Sequence, residues 1–239
     1  MSRKKEKTKP HIKVVGIGEC GSKLVNRMMK EGVQVDEYIS INTGSQAVID
    51  SAANIRLQIG TDLTNGRGAG SDTEVGRKAA EANRREIAEA IKDCDFLLML
   101  VGLGRGTGTG AAPIVAQIAR KHGVKTVAIV TTPFDFEGSS QQKRSAAAIE
   151  QLQESVDFLT ILPNDKFLQY TSREGMTLSN AFALTDEVLV EMVKNTLGVV
   201  QYIAVEKKHI FLKNFLFRKK GKMNFESYNL KHDYSQALK

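Results

Sequence analysis

Only two cysteines occur in the 239 residues, Cys20 and Cys94, and neither stands in a CxxC pair or beside a histidine cluster. This argues against a disulfide framework and against a structural zinc site, and fits a reducing compartment. No apolar run approaches the ~20 residues that span a bilayer. The opening "MSRKKEKTKP" lacks the apolar stretch of a secretory signal. The expectation is therefore a cytoplasmic chain. No GxxxxGK(S/T) is present, which sets aside the phosphate-loop NTPases, and no internal repeat is visible.

What is present is an ordinary globular composition, 41% hydrophobic and 26% charged, in a length that suits one large domain with or without appendages. The net charge of +7 lies at the ends. "RKKEKTK" carries five basic residues against one acid, and residues 200–239 carry nine against three, leaving a slightly acidic body. Such a body does not read as a nucleic-acid binder.

From Ile12 the chain repeats strand, glycine turn, helix. "IKVVGIG", "EYISINT", "DFLLMLVG", "KTVAIVT" and "DFLTILPND" read as strands. "SKLVNRMMKEG", "SDTEVGRKAAEANRREIAEAIKD", "APIVAQIARKHG" and "SAAAIEQLQESV" read as helices, the second opened by a Ser71-x-x-Glu74 capping box. The alternation predicts an α/β fold of Rossmann-like type, a doubly wound and mostly parallel sheet with helices on both faces. It divides into a basic tail over 1–10, an α/β domain over 11–176, a long helix over 177–199 and a basic aromatic tail over 200–239. That tail holds seven of the fifteen aromatics after Leu197 and shows no clear periodicity.

The glycines of "GLGRGTGTGAAP", Gly102 to Pro113, are costly to order, yet they sit where a parallel strand hands over to a helix. Open α/β sheets bind ligands there. Glycine amides can wrap an anion at a helix N-terminus, and Thr107 and Thr109 add hydroxyls. The plain alternative is a flexible loop. A second turn, "GIGECG" from Gly16 to Gly21, follows the first strand, and a third stretch, "TNGRGAGSDTEVG", can close over an outer phosphate. "TTPFDFEG" offers Glu137 to ribose hydroxyls, or merely a surface acid. On the last helix Phe182 and Asp186 stand at i and i+4 on an apolar stripe. Guanine suits that pair, donating N1–H and N2–H to one carboxylate while stacking on the ring; a core Phe and a tolerated rim Asp is the bland reading.

Together these segments, with "NRM", "NTGSQA", "PFDFEG" and "LPND" in order, resemble the tubulin/FtsZ superfamily, most nearly its FtsZ branch, over roughly Lys13 to Leu197. The resemblance implies GTP/GDP binding, with Mg2+ carried by the nucleotide and no metal ligand assigned. It implies a GTPase of head-to-tail filaments at a midcell division ring, with self, full-length FtsZ and division-ring proteins as partners. By position, Gly18, Gly21 and Ser22 would line the diphosphate. Gly104, Gly106, Thr107, Gly108, Thr109 and Gly110 would cradle the phosphates, with Ala69 and Gly70 near the γ-phosphate. Glu137 would hold the ribose, and Asn164, Phe182 and Asp186 the guanine.

The chain departs from this pattern at several positions. Arg105, Glu19 and Cys20 stand where the family has glycines, Gly44 where it has an aspartate, and Gln141 where it has an arginine. The acidic "NxDxxD" loop that one subunit supplies to the next has no counterpart, so no catalytic residue is identified in this chain. The second domain of the family is expected to be absent. Three readings result: an FtsZ-type subunit whose junction needs a partner's loop, a non-hydrolysing capper or decayed copy, and a Rossmann oxidoreductase. The last lacks the ribose acid at the end of the second strand. The basic tail reads as a membrane or partner contact, as disorder, or as a frame-shifted end, the last being favoured.

Overall fold

The computed structural model describes residues 10–166, 178–205 and 221–224, with the side chains of 178–184, 202–205 and 221–224 excepted. Strands β1 (Ile12–Ile17), β2 (Glu37–Asn42), β3 (Ile55–Gln58), β4 (Phe96–Gly102), β5 (Lys125–Thr132), β6 (Phe158–Pro163) and β7 (Gly221–Asn224) form one sheet of seven, ordered β3-β2-β1-β4-β5-β6-β7. Every pairing is parallel. The predicted fold class is what the structure shows.

The strands are buried on both faces, which is why they read as nearly unbroken apolar runs rather than alternations. Val15, Ile17, Ile39, Met99 and Val101 look to one side, into a core shared with helices α4 (Thr73–Ala82), α5 (Arg84–Ile91), α6 (Gly106–Lys121) and α7 (Ser139–Ser155). Ile12, Val14, Leu98 and Leu100 look to the other, onto α1 (Gly18–Lys30) and α8 (Leu178–Val205). Val188, Leu189, Met192, Val193 and Leu197 form the buried stripe of α8. Short helices α2 (Ser45–Ile49) and α3 (Thr61–Thr64) flank β3.

Several boundaries differ from the sequence reading. The helix expected to begin at Ala112 begins at Gly106, so most of the glycine alternation is helical. The single helix expected over "SDTEVGRKAAEANRREIAEAIKD" is two, broken at Asn83, whose side chain turns away to accept the Gly60 amide at 2.8 Å. Asp72, not Ser71, caps its start: Oδ1 accepts the amides of Glu74 (2.9 Å) and Val75 (3.2 Å). β3 escaped notice because "IRLQ" is a short edge strand, no residue of it fully buried. The last helix runs on to Val205, past the expected boundary at 199. The N-terminal tail lies almost wholly outside the described residues, and so does most of 200–239; within the latter Gly221–Asn224 pairs with β6.

Candidate functional site

The strand order reverses between β1 and β4, and the helices that follow these two strands start side by side. This is the crevice where open parallel sheets take ligands. α1 opens directly on Gly18, in left-handed backbone (φ +75), and a Cβ there would lie 2.9 Å from the Gly108 nitrogen in the first turn of α6. Two helix N-termini thus converge on one spot, each with amides that lack intrahelical acceptors. Those of Arg105, Thr107 and Gly108 find no acceptor among the described residues; the Gly106 amide is taken by the Gly70 carbonyl at 2.8 Å. Paired N-termini of this kind favour an anion through both their free donors and their dipoles.

The glycines of α6 have a second cause. A Cβ on Gly106 would sit 2.6 Å from the Asp72 carbonyl oxygen, on Gly108 2.4 Å from that of Gly102, and on Gly110 2.0 Å from that of Thr73. Gly76 on α4 returns the contact, 2.2 Å from the Gly106 oxygen. The alternation therefore lets α4, α6 and the end of β4 approach backbone to backbone. Gly21 is alike: its missing Cβ makes room for the Leu100 carbonyl, 2.3 Å away, so it faces the sheet.

The hydroxyls are more committed than the sequence suggests. Thr109 is buried and its Oγ1 accepts the Gly104 amide at 2.8 Å. Thr107 Oγ1 lies 2.6 Å from Thr43 Oγ1, which also accepts the Ala69 amide at 2.9 Å. Ser22 bonds Ser40 at 2.7 Å inside the α1–sheet interface. Thr43, not among the expected site residues, ties the end of β2, the loop at Ala69 and the α6 N-terminus together. Gly70 is left-handed (φ +54) with open space where a Cβ would be.

The ends of β5, β6 and α8 supply the remaining groups. Glu137 lies in a 3-10 turn over Asp135–Glu137 and accepts the Phe134 amide through Oε1 at 3.0 Å, so it caps its own turn. Asn164, just past β6, is 7% exposed and its Oδ1 has no partner. Asn42 Nδ2, at the end of β2, is likewise buried and unpaired, and so is Gln141 Oε1. Buried polar atoms without partners are uncommon, and these three belong to residues at or beside the carboxyl ends of the strands. Asn42 carries a sequence signal, a polar residue closing an apolar strand.

Asp186 of α8 is half-buried, and desolvation raises its pKa against the pull of Arg27 and Lys23. The same carboxylate acts on Cys20, whose thiol burial pushes up to about 12. α8 thus delivers Asp186 to the α1 side of the crevice; the side chain of Phe182 lies outside the described residues. Glu19 and Lys23 pair at 2.7 Å, and Lys23, helped by Arg105, lowers the Glu19 pKa. Among the described residues no three His, Cys, Asp or Glu side chains converge. Nor is any described helix long and apolar enough to cross a membrane.

Fold and crevice define a doubly wound, all-parallel class of α/β protein with a crevice suited to an anion. Within that class, the sequence model of the Tubulin/FtsZ family, GTPase domain, matches residues 11–172, and the chain belongs to this family. It is similar to a solved structure titled "FtsZ dimer, empty" from M. jannaschii, at 39% identity and a TM-score of 0.78 over 82% of this chain and 57% of that one. CetZ2 from Haloferax volcanii, titled a GTPgS-bound protofilament, shares the fold at 22% identity and a TM-score of 0.73, covering 87% of this chain and 63% of that one. CetZ1 from the same organism, a GDP-bound monomer, does so at 23% and 0.72 over 88% and 65%. The chain therefore spans less than two thirds of each of these relatives.

Proposed function

We propose that this chain binds GTP and GDP in the β1–β4 crevice and acts as an FtsZ-like subunit of a cell-division filament. The observation that carries this reading is the convergence of the α1 and α6 N-termini, with free amides at Arg105, Thr107 and Gly108, at the point where the strand order reverses. Those amides and Gly18 hold phosphates; Gly70 leaves room for the outermost one; Glu137 takes the ribose. Asn164 Oδ1 accepts from the guanine and Asp186 pairs with its N1–H and N2–H, with Phe182 as the stacking partner. In this reading residues 11–176 are the nucleotide domain, and the helix Leu178–Val205 follows it. Self-association is supported by the FtsZ dimer and the CetZ2 protofilament among these relatives.

Hydrolysis in this reading belongs to a junction between subunits. This chain holds the nucleotide, and the neighbouring subunit supplies the acidic side chains that orient the attacking water. The test is GTP turnover by the purified chain, alone and mixed with an intact FtsZ. The proposal expects tight GTP binding, little turnover alone and altered turnover in the mixture. Failure to bind GTP overturns it; rapid turnover by the chain alone overturns the assignment of hydrolysis to a partner.

A further inference from the structure

Gly104 is the pivot between β4 and α6, with a backbone (φ +110) that side chains rarely allow. Both its polar groups are held. The amide donates to Thr109 Oγ1 at 2.8 Å, and the carbonyl oxygen accepts from Nε of Arg144 at 3.0 Å. Arg144 stands on α7, half-buried, and reaches across to the β4–α6 turn to make this bond. One turn before it on α7, Gln141 packs against Gly104 but turns its Nε2 donor to the Glu137 carbonyl at 3.3 Å, so Arg144 is the donor from this helix that meets the Gly104 carbonyl.

The bond has a geometric consequence. No cis peptide occurs in the described chain, and in a trans peptide the carbonyl and the following N–H point in opposite directions. With the Gly104 carbonyl drawn toward α7, which joins β5 to β6, the Arg105 amide is turned to the opposite side of β4, where β1 and Gly18 lie. That amide is one of the three that lack an acceptor. We infer that Arg144 is a positioning residue for phosphate binding: by holding the Gly104 carbonyl it aims the Arg105 amide into the crevice beside those of Thr107 and Gly108. The inference rests on the nucleotide reading above and deepens it, since Arg144 would touch no part of the nucleotide.

The test compares the full chain with Arg144→Met and Arg144→Lys by titration with GTP, GDP and guanosine, together with amide hydrogen exchange in the nucleotide-free protein. Arg144→Met should weaken GTP and GDP roughly tenfold, the scale of one charge-assisted hydrogen bond, and leave guanosine unchanged. It should also speed exchange over residues 104–108 and nowhere else, and Arg144→Lys should recover most of both effects. Equal loss for GTP and guanosine, or exchange rising across the whole domain, would show a merely structural role and overturn the inference. So would unchanged exchange at 104–108. A parent chain that binds no guanine nucleotide overturns the proposed function, while the exchange comparison still decides what Arg144 does to the loop.

Discussion

Thr43 Oγ1 and Thr107 Oγ1 lie 2.6 Å apart, joining the end of β2 to the first turn of α6. The same Thr43 oxygen accepts the Ala69 amide, and the Thr43 carbonyl receives the hydroxyl of Thr64 at 3.2 Å. One buried threonine therefore holds three segments of the crevice in register.

Thr43→Val keeps the shape and removes the hydroxyl, stranding the Ala69 amide in a buried place. The expected cost is about 1–3 kcal/mol, read as a lower midpoint in urea. A variant as stable as the parent would mean that Ala69 finds another acceptor.

Gly110 and Gly70 should respond differently to alanine. At Gly110 the new methyl would meet the Thr73 carbonyl at 2.0 Å, so α4 and α6 must separate; roughly 3 kcal/mol is expected from overpacking. At Gly70 there is open space and only the left-handed backbone resists, costing about 1–2 kcal/mol. Thermal melts of the two variants check the order, and Gly70→Ala should weaken GTP more than GDP if its open space receives the outer phosphate.

These two glycines also show what the sequence could and could not disclose. The strand–helix grammar gave the parallel sheet, because strands buried on both faces are written in apolar residues, and the alternation from Gly102 to Gly110 falls where β4 hands over to α6. The reason for the glycines was only partly legible. A sequence says which residue lacks a Cβ, not that the Thr73, Asp72 and Gly102 carbonyls fill the space. Thr43 was hidden for a similar reason, since its partners are an amide and a hydroxyl from distant segments. The helix break at Asn83 depends on the Gly60 amide, which no local pattern foretells.

Burial, desolvating the thiolate, raises the Cys20 thiol to about 12 and that of Cys94 to about 11. A raised thiol pKa leaves less thiolate at any given pH, so neither is a reactive cysteine. In the native chain at pH 8, Cys20 should react with Ellman's reagent at least about a hundredfold more slowly than after unfolding in urea. Fast labelling of native Cys20 would contradict the packing of α1 against Gly102 and Thr131.

Asp186 has its pKa raised by desolvation, so its ionised form weighs against the folded state. That penalty is fully present above the raised pKa and vanishes as pH falls below the ordinary carboxylate value. Asp186→Asn should therefore raise the melting temperature at pH 7, with less gain at pH 4, while GTP loses its advantage over ATP. A lower melting temperature at pH 7 would mean that Arg27 and Lys23 outweigh the desolvation.

The most direct measurement is a competition titration of the full chain with GTP and ATP at fixed magnesium. The account predicts saturable binding with GTP preferred at least about a hundredfold, because a carboxylate that pairs with N1–H and N2–H leaves adenine with unmatched polar groups. Equal affinity for the two nucleotides, or no saturable binding of either, would contradict it.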